Sequence, residues 1–359
     1  MKIAFLNIHN GIVERGSEVF VHELATHLSN SHSVTVFQTG RAKKERYTVQ
    51  EIKGIKEFFH QSYSFCNSPL LNFINTRLYY FGVFVFTVKC IPYLLKEQFD
   101  WIIPINGRSQ GIICRFIRFL SKKKILISGH AGIGFEDKLN IILGRPDVFV
   151  ALTKKAYKWA GKISGKISVK YIPNGINTKK FSQNPEVEKL TLTKPRIMCV
   201  SALLPYKRID LLIRAVSIIP EVSLIIIGDG PLRGEIEYKG KKLLEDKFIL
   251  VPYVSHDKIV HYYNACDLFS LPSKESEAFG LAYLEAMSCN LPVVAPDDQN
   301  RRDIIGEAGL YCDVEDIKRY ANSLKSALSI NFGNKPIIQA AKFDWKLLAK
   351  KYDEIFQNK

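Results

Sequence analysis

The sequence has 359 residues, of which 47% are hydrophobic, so it can bury a large core and predicts two folded domains instead of a disordered chain. Its seven cysteines show no CxxC pair and no metal-ligand spacing, which favours reduced thiols in a cytosolic setting over a disulfide framework or a zinc site. The formal net charge is +16: residues 1–180 hold 27 basic and 11 acidic residues, whereas residues 181–359 hold 24 of each. This asymmetry favours a polyanionic partner for the first half over lysines that only maintain solubility.

The first half alternates strand-like and helix-like segments. Residues 2–8 (KIAFLNI) predict a buried strand, SEVFVHELATHLS predicts a helix from its apolar spacing, and residues 34–39 predict a second strand. The same alternation recurs around WIIPI, KILISG and DVFVALT. A mostly parallel sheet with helices on both faces is therefore expected.

Neither a signal peptide nor a membrane-spanning helix is predicted. Met1 and Lys2 lead directly into the first strand, without the small-residue pattern of a cleavage site. The longest apolar tract, residues 79–88, is followed by Lys89 and Pro92 and is shorter than the roughly 20 residues that cross a bilayer. We therefore expect a soluble or peripheral protein.

The second half predicts another doubly wound domain. Residues 178–194 are polar and are interpreted as a linker between a first domain at residues 1–177 and a second at residues 195–338. Alternation resumes there with RIMCVSA, DLLIRAVSII, VSLIIIG, KFILVPYV and DLFSLPS. Residues 339–359 contain the amphipathic stretch WKLLAKKYDEIFQ, which we expect to form a helix that packs across the domain junction.

Two glutamates flank a predicted helix N-terminus in ESEAFGLAYLEAM, residues 275–287. Glu277 falls in the loop after the strand DLFSLPS, and Glu285 falls inside a helix that begins near Phe279 or Gly280. Free N–H groups, a positive dipole end and a glycine favour an anion there, and Glu285 lies roughly 7 to 8 Å further along the axis. That distance suits a ligand composed of nucleoside, diphosphate and sugar, although both glutamates could instead be solvated or stabilise the helix dipole.

The longer segment ESEAFGLAYLEAMSCNLPVVA resembles the signature of retaining glycosyltransferases of family 4, which have the GT-B fold and an EX7E motif. YIPNGINTKKF, VSALLPYKRIDLLIRA, LIIIGDGPL and NACDLFSLPS are similar to other segments of that family, in the same order. The resemblance covers most of residues 171–315 and covers the first domain only weakly. It implies an α/β protein of GT-B architecture, with two doubly wound Rossmann-like domains that face each other across a cleft.

The resemblance also implies roles for residues of the second domain in binding the donor. Glu285 would hydrogen-bond the ribose hydroxyls, and Glu277 would contact hydroxyls of the donor sugar. Backbone N–H groups near Phe279, Gly280 and Leu281 would hold the diphosphate.

Lys207 and Arg208 are the cations that the resemblance places near the departing β-phosphate. The chain departs from the family pattern here, because Ser201-Ala202 stands where many relatives carry Gly-Arg, and Arg208 stands where many carry Gly. Either Arg208 substitutes for the missing cation or phosphate binding is weaker. A solvated turn before a helix is the structural alternative for both residues.

In the first domain, residues 11–18 (GIVERGSE) occupy the place of the family's glycine-rich loop, with Gly16 and Ser17 where two glycines are common. Their amides would approach a phosphate or the acceptor, although a simple strand-to-helix turn explains the motif equally well. His130 follows a strand, where relatives place a histidine facing the donor sugar; a purely structural histidine is the alternative. No DxD metal motif is present, since Asp297-Asp298 falls in a later loop, and we expect no metal cofactor.

The acceptor side of the first domain is predicted from basic and aromatic residues. The segments GIICRFIRFLSKKK (residues 111–124) and KKAYKWAGKISGKISVK (residues 154–170) contain no acidic residue. Helical spacing groups one set of basic residues and separates it from an apolar set: Arg108, Arg115 and Lys122, against Phe116, Phe119 and Leu120. Such a surface suits an anionic membrane or a lipid-diphosphate acceptor, at about 1 kcal/mol per basic residue, unless the helices are ordinary crossovers with solvated outer faces.

The resemblance implies transfer of a hexosyl group from a UDP- or GDP-linked sugar to a lipid-linked or glycan acceptor, with retention of anomeric configuration. It also implies front-face attack without a covalent nucleophile, and together with the charge it predicts a setting in lipopolysaccharide, capsule or glycolipid synthesis on the cytoplasmic face of a membrane. A non-catalytic relative that binds nucleotide sugars or glycans is one alternative. Nucleic-acid binding is disfavoured, because no helix-turn-helix, zinc or RNA-recognition motif is present. The sugar, the acceptor, the linkage and the oligomeric state stay open.

Overall fold

A computed structural model describes residues 1–13, 16–41, 45–55, 69–184 and 187–357, with the side chains of residues 69–72 left undescribed. The chain forms two compact units, one made of Met1–Asn174 with Trp345–Lys359 and the other of Gly175–Asp344. Residues 178–194, predicted as a linker, lie in the second unit, and within them Pro185 and Glu186 are outside the described residues. The predicted C-terminal helix is present as Trp345–Gln357 and lies in the first unit.

Within the described chain, the first unit contains a parallel sheet of seven strands in the order β3-β2-β1-β4-β5-β6-β7. The strands are β1 (Lys2–Leu6), β2 (Ser33–Gln38), β3 (Thr48–Glu51), β4 (Trp101–Pro104), β5 (Lys124–Gly129), β6 (Val148–Ala151) and β7 (Ser168–Tyr171). The predicted strands β1, β2, β4, β5 and β6 are confirmed. The two edge strands, β3 and β7, were not predicted, because they are partly exposed and carry polar residues.

Helices cover both faces of this first sheet, as predicted. They are α1 (Gly16–Leu28), α2 (Pro69–Lys96), α3 (Ser109–Ser121), α4 (Phe135–Ile142), α5 (Lys154–Ile163) and the C-terminal helix. Phe20 of α1 and Trp345 of the C-terminal helix share one core with Phe5 of the sheet. Phe86 of α2 and Ile117 of α3 belong to the core on the opposite face.

Helix α2 is longer than the sequence pattern indicated. The apolar tract of residues 79–88 is its middle part, and the helix continues through Lys89 and Pro92 to Lys96. Over Phe73–Lys96 it is the one helix of the described chain that is long and apolar enough to cross a membrane, and 33% of its most apolar window is buried. The buried side packs on the sheet, as expected of a core helix.

The second unit contains, among the residues described, a six-stranded parallel sheet in the order β10-β9-β8-β11-β12-β13. Its strands are β8 (Arg196–Val200), β9 (Ser223–Ile227), β10 (Phe248–Val251), β11 (Leu268–Ser270), β12 (Val293–Pro296) and β13 (Gly309–Cys312). Its helices are α6 (Ile209–Ser217), α7 (Arg233–Leu244), α8 (Ile259–Asn264), α9 (Leu281–Ser288), α10 (Gln299–Ile305), α11 (Ile317–Ser329) and α12 (Lys335–Ala341). The predicted pair of doubly wound domains is confirmed.

The order of strands in the second sheet defines where its ligand site can lie. The chain winds from β8 outwards through β9 to β10 and then returns to β11 on the other side of β8. The carboxyl ends of β8 and β11 therefore form a topological switch point, at which the loops separate and leave room for a ligand. Lys207 lies beyond the end of β8, and Glu277 lies beyond the end of β11.

Six cysteines are described, and all are free and buried: Cys90, Cys114, Cys199, Cys266, Cys289 and Cys312. The seventh, Cys66, is outside the described residues. Burial raises the pKa of the Cys199 thiol to about 12, against a smaller opposing effect of Lys207, so this thiol is protonated near neutral pH.

Candidate functional site

An ion pair joins the two loops at the switch point of the second sheet. The Lys207 ammonium donates a hydrogen bond to Glu277 Oε2, and the side chains are only 10% and 12% exposed. Lys207 ends a short 3-10 turn, Pro205–Lys207, and the Tyr206 carbonyl in this turn accepts a hydrogen bond of 2.8 Å from the Lys274 amide. The fold thus brings together two predicted site residues that are 70 positions apart in the chain.

Tyr206 lies beside the ion pair. Burial, with a further contribution from the Glu277 carboxylate, raises the pKa of Tyr206 to about 12. The phenol therefore stays protonated and is a hydrogen-bond donor throughout the physiological pH range.

The Arg208 guanidinium holds the loop that follows β11. Its Nε donates to the Pro272 carbonyl at 2.8 Å and its Nη2 to the Ser273 carbonyl at 3.2 Å, while Nη1 pairs with Glu315 at 2.7 Å. Glu315 is 73% exposed, so solvent screens that ion pair. The predicted contact of Arg208 with a phosphate stays a prediction. The observed hydrogen bonds show that this side chain also holds the loop that follows β11.

Arg301 holds the same loop from another direction and was not identified from the sequence. Its side chain is 1% exposed, and its Nη2 donates to Ser273 Oγ at 2.9 Å and to the Lys274 carbonyl at 2.8 Å. Asp298 caps α10 and pairs with Arg301 Nη1 at 2.9 Å, while Asp297 pairs with Arg302. The i,i+3 spacing of Asp298 and Arg301 was the only sequence signal, and it did not indicate the distant loop.

The predicted helix start between the two glutamates is confirmed. Helix α9 begins at Leu281, and Gly280 is its N-cap, with a φ of 88°. Glycine has no side chain with which to cap the first N–H groups, so these amides can donate to an anion. A Cβ at Gly280 would lie 2.8 Å from ring atoms of Tyr283. This position therefore requires glycine for two reasons, the steric clash and the left-handed backbone conformation. Phe279 is buried, so its side chain serves the core and only its backbone can contact a ligand.

Glu285 lies one turn into α9 and is almost completely buried, at 8% exposure. Its Oε2 accepts a hydrogen bond of 2.7 Å from the Tyr263 hydroxyl, and its Oε1 is 3.7 Å from His256 Nε2. Burial, and then the nearby Glu285 carboxylate, raises the pKa of Tyr263 well above its ordinary value, which keeps that donor protonated. His256 was missed in the sequence, where its only distinction is its place after β10, at the carboxyl edge of the sheet.

The first unit holds the remaining predicted site residues at the carboxyl edge of its own sheet. His130 follows β5, and its ring packs edge-on against Phe20 of α1, with centroids 4.4 Å apart. Burial lowers the pKa of His130 to about 4, so the imidazole is neutral at physiological pH. Its Nε2 is buried and has no hydrogen-bond partner among the residues described.

Gly16 and Ser17 form the first two positions of α1. The Ser17 hydroxyl donates to Glu18 Oε1 at 2.9 Å, and the Asn7 side chain, just after β1, donates to the same oxygen at 3.3 Å. The helix start is thus tied to the end of β1. The middle of the predicted GIVERGSE motif, residues 14 and 15, lies outside the described residues.

Asp137 supports the loop that carries His130 and is another residue that the sequence did not reveal. Its carboxyl accepts hydrogen bonds from the Asn140 side chain, at 3.2 Å, and from the Ala131 and Gly132 amides. Burial, only partly offset by these hydrogen bonds, raises the pKa of Asp137 to about 7. Among the described residues, no cluster of three or more His, Cys, Asp and Glu side chains could hold a metal ion.

Comparison with known proteins agrees with this geometry. Residues 180–343, which contain the whole switch-point site, match the family model "Glycosyl transferases group 1". A curated relative, the GDP-mannose-dependent alpha-(1-6)-phosphatidylinositol monomannoside mannosyltransferase of Mycolicibacterium smegmatis, is 24% identical over 191 residues, which cover 48% of this chain and 50% of the relative. The chain thus spans about half the length of the curated relatives it matches.

Solved structures resemble the chain over nearly its full length. Sucrose-phosphate synthase from Thermosynechococcus elongatus has a TM-score of 0.79 at 18% identity, covering 99% of this chain and 98% of that one. Anabaena Alr3699/HepE, solved in complex with UDP and glucose, has a TM-score of 0.76 at 18% identity and full coverage of both chains. At such identities the likeness shows the fold alone, which is the predicted GT-B class.

Proposed function

We propose that this chain, whose residues 180–343 match the group 1 glycosyl transferases, moves a sugar from a nucleoside-diphosphate donor to a lipid-linked or glycan acceptor. One observation carries the proposal. The switch point of the second sheet combines a nearly buried Lys207–Glu277 pair with the uncapped start of α9 and with Glu285 one turn further along. The ion pair suits a sugar next to a phosphate, the helix start suits a diphosphate, and Glu285 suits a ribose.

Glu285 is proposed to bind the ribose hydroxyls. The Tyr263 hydroxyl fixes one carboxylate oxygen, and the other faces His256 at 3.7 Å, a distance that leaves it free to accept a hydrogen bond from a ligand. The carboxylate is therefore held in one orientation before the ligand arrives, which lowers the entropy cost of binding.

Lys207 and the first amides of α9 are proposed to neutralise the diphosphate. Glu277 compensates the Lys207 charge, since an unpaired ammonium would be costly at such low exposure. When the donor binds, its phosphate supplies a second partner for Lys207, and a Glu277 oxygen becomes available to a sugar hydroxyl. As the bond to the sugar breaks, charge develops on the β-phosphate, where Lys207 and the helix start stabilise it without a metal ion.

Retention of configuration is the stereochemistry we propose, through attack from the face that the phosphate leaves. In such a reaction the departing phosphate assists removal of the acceptor proton. His130, neutral because of its burial, is proposed to hydrogen-bond a hydroxyl of the sugar through its buried, unpartnered Nε2. Gly16 and Ser17 are proposed to contribute backbone amides on the acceptor side.

The acceptor and the cellular setting follow from the first unit's charge. Residues 1–180 carry all of the excess positive charge, which suits a lipid diphosphate or another anionic acceptor at a membrane. We propose a peripheral location on the cytoplasmic face and a role in polysaccharide, lipopolysaccharide or glycolipid synthesis. The curated relative described above is named for action on a phosphatidylinositol mannoside, which supports a lipid-linked acceptor.

The donor nucleotide is proposed to be UDP or GDP, since one structural neighbour was solved with UDP and the curated relative is named GDP-mannose-dependent. A thermal-shift screen against UDP, GDP, ADP, CMP and dTDP, each with EDTA, tests this choice. A nucleotide at 100 times its Kd should stabilise the native state by about 2.7 kcal/mol and raise Tm by a few degrees.

The matched variants for the screen are Glu285→Ala and Glu307→Ala. Glu285 is buried in the site, whereas Glu307 is 84% exposed on the same unit and serves as the control. We expect E285A to abolish the shift and E307A to keep it. A folded E285A protein that still binds the nucleotide with normal affinity would contradict the ribose assignment.

A non-catalytic relative that binds nucleotide sugars is the second candidate. It is favoured by Ala202, at the position where the family resemblance implies an arginine, and by the hydrogen bond of Arg208 to the loop that follows β11. Release of free sugar from the donor, measured by product chromatography, separates the two candidates. Binding without any turnover of the donor, with or without a panel of glycan acceptors, would favour the second.

A further inference from the structure

Helix α2 presents an apolar stripe on the side that faces away from the sheet. Val83, Phe86, Cys90 and Leu94 are buried against the sheet, so the opposite side of the helix points outwards. Residues on that side are large and between 41% and 58% exposed: Phe73, Phe81, Phe84, Val88 and Leu95. A helix of a water-soluble protein usually carries polar residues on that side.

Helix α3 repeats the same arrangement. Cys114 and Ile117 are buried in the same core, and the outward side carries Ile112, Phe116, Phe119 and Leu120, of which Phe119 is 85% exposed. At this exposure the Phe119 ring buries almost no apolar surface in the protein core. Its position indicates contact with a partner outside the unit.

The two stripes lie on one side of the first unit. Helices α2 and α3 bury their inner sides in a single core cluster on one face of the sheet, so their outer sides look in the same direction. They also contact each other directly, with Gln110 Nε2 of α3 donating to Thr87 Oγ1 of α2 at 3.4 Å. Together they form one surface, called here the α2–α3 outer face, which is apolar over two neighbouring helices.

The charges on this face select the partner. Neither helix contains an aspartate or a glutamate, whereas Arg77 and Arg115 supply positive charge along the face and the exposed Lys122 supplies it at the end of α3. Arg77 lies over the Phe73 ring at 4.9 Å, so cation and aromatic ring share one place on the surface. Two copies of this face would bring like charges together, whereas an anionic lipid surface offers phosphates to the cations and acyl chains to the rings.

We propose that the α2–α3 outer face docks on the surface of a bilayer that contains anionic lipids. Phe116 and Phe119 enter the boundary between headgroups and acyl chains, while Arg115 and Lys122 contact lipid phosphates. Helix α2 lies in the plane of the interface and does not cross the membrane, because its inner side is committed to the protein core. This inference rests on the peripheral location in the proposed function and identifies the surface that achieves it.

The test is flotation of the full chain with vesicles of phosphatidylcholine, alone or mixed with phosphatidylglycerol. The variant is Phe116→Ser with Phe119→Ser, and the control is Tyr238→Ser, an aromatic of the second unit that is 65% exposed, against 63% for Phe116. We expect the unmodified chain to bind the anionic vesicles at least tenfold more strongly than the neutral ones. F116S/F119S should lower that binding roughly ten- to a hundredfold, because each ring loses its burial in lipid, and Y238S should not change it.

Three results would overturn the docking proposal. The first is unchanged vesicle binding by F116S/F119S. The second is a wild-type dimer in solution that this variant converts to a monomer, which would show that a second copy covers the face. The third is wild-type protein that resists extraction from vesicles by alkaline carbonate, which would assign α2 as a spanning helix.

The nucleotide thermal shift, measured on the same variants, keeps the two proposals separable. F116S/F119S protein that retains the shift but does not bind vesicles supports docking and shows that the variant is folded. A wild-type chain that binds vesicles but responds to no nucleotide contradicts the donor site and leaves docking supported. A wild-type chain that responds to a nucleotide but ignores anionic vesicles contradicts docking alone.

Discussion

Lys207 and Glu277 carry opposite charges where little water can reach them, so the loss of one leaves the other poorly compensated. We expect Lys207→Met and Glu277→Gln each to lower the free energy of unfolding by about 3 kcal/mol. The double variant should lower the free energy of unfolding by less than the sum of the two single effects, because it leaves no unpaired charge. Urea unfolding measures all three values.

The exposed pair Lys239–Glu235 is the control for this cycle, and Lys239→Met should leave stability almost unchanged. Strict additivity of K207M and E277Q would mean that the two side chains do not interact in solution. Both single variants should also lose affinity for the donor nucleotide, since the proposed roles need both charges.

Arg301 has no proposed contact with substrate and acts by holding the loop from Ser273 to Lys274. We expect Arg301→Lys to weaken donor binding about tenfold, because a lysine cannot replace the planar fork of donors that joins Asp298 to this loop. Isothermal titration with the nucleotide measures the change.

Arg302→Lys, at the neighbouring and half-exposed position, is the control and should bind the donor normally. If R301K binds the donor as well as the unmodified chain does, the loop does not depend on the guanidinium. A loss of stability without any change in affinity would assign Arg301 a purely structural role.

Asp137 predicts a pH dependence of stability. Its pKa rises from 3.8 to about 7 on folding, mainly through burial, so the folded state favours the protonated carboxyl. Its contribution to stability is complete below the unfolded pKa and is lost as the pH rises towards 7. Asp137→Asn removes this titration, so we expect the unmodified chain to lose stability relative to D137N between pH 5 and pH 8, by about 1 to 4 kcal/mol.

Unfolding curves recorded at pH 5, 6, 7 and 8 for both proteins test the Asp137 prediction. A constant difference in unfolding free energy across that range would show that the carboxyl does not titrate there. His130, whose pKa burial lowers from 6.5 to about 4, adds stability as the pH rises through the same range, because the unfolded imidazole still binds a proton there. Both proteins carry His130, so the difference between them removes this contribution.

At the scale of the elements, the start of α9 depends on Gly280. An alanine there would hold a strained left-handed backbone and would place its Cβ against the Tyr283 ring. We expect Gly280→Ala to lower the free energy of unfolding by about 1 to 3 kcal/mol and to weaken nucleotide binding, because the first amides of α9 would shift.

Gly234→Ala is the matched control for G280A. Gly234 lies inside α7, and a Cβ at this position would meet nothing within 4 Å, so the change should be neutral or slightly stabilising. Normal stability and normal nucleotide affinity in G280A would be incompatible with the described helix start.

The central elements were predictable from the sequence because each has a signal within its own residues. β1, β5 and β9 are runs of apolar residues, and the start of α9 is marked by glycine between a strand and a helix. Edge strands such as β7 were not predictable, since half of an edge strand meets solvent and its residues resemble those of a loop.

The contacts of the site were less predictable than its residue types. Lys207 and Glu277 were selected as separate residues, but their ion pair follows from the order of β8 and β11 in the sheet. Arg301 and His256 were missed because their partners are distant in the sequence: Arg301 reaches the loop at Lys274, and His256 faces Glu285 in α9.

At the scale of the whole molecule, the first unit is built from both ends of the chain. Trp345, Leu348 and Tyr352 of the C-terminal helix are buried in the same core as Phe20 of α1. The second unit is thus an uninterrupted segment, whereas the first is completed only after residue 344 has been made. A defect in the last helix should therefore destabilise the first unit and leave the second intact.

Adjacent leucines in the C-terminal helix make this prediction specific. Leu348 is 1% exposed and Leu347 is 48% exposed, so Leu348→Ala should cost about 2 to 4 kcal/mol of the first unit's stability, and Leu347→Ala should cost little. Hydrogen exchange locates the effect: β1 and α1 should lose protection in L348A, while β8 and β9 keep theirs. Loss of protection spread equally over both sheets would show that the units unfold together, and equal effects of the two substitutions would contradict the packing of this helix on the first unit.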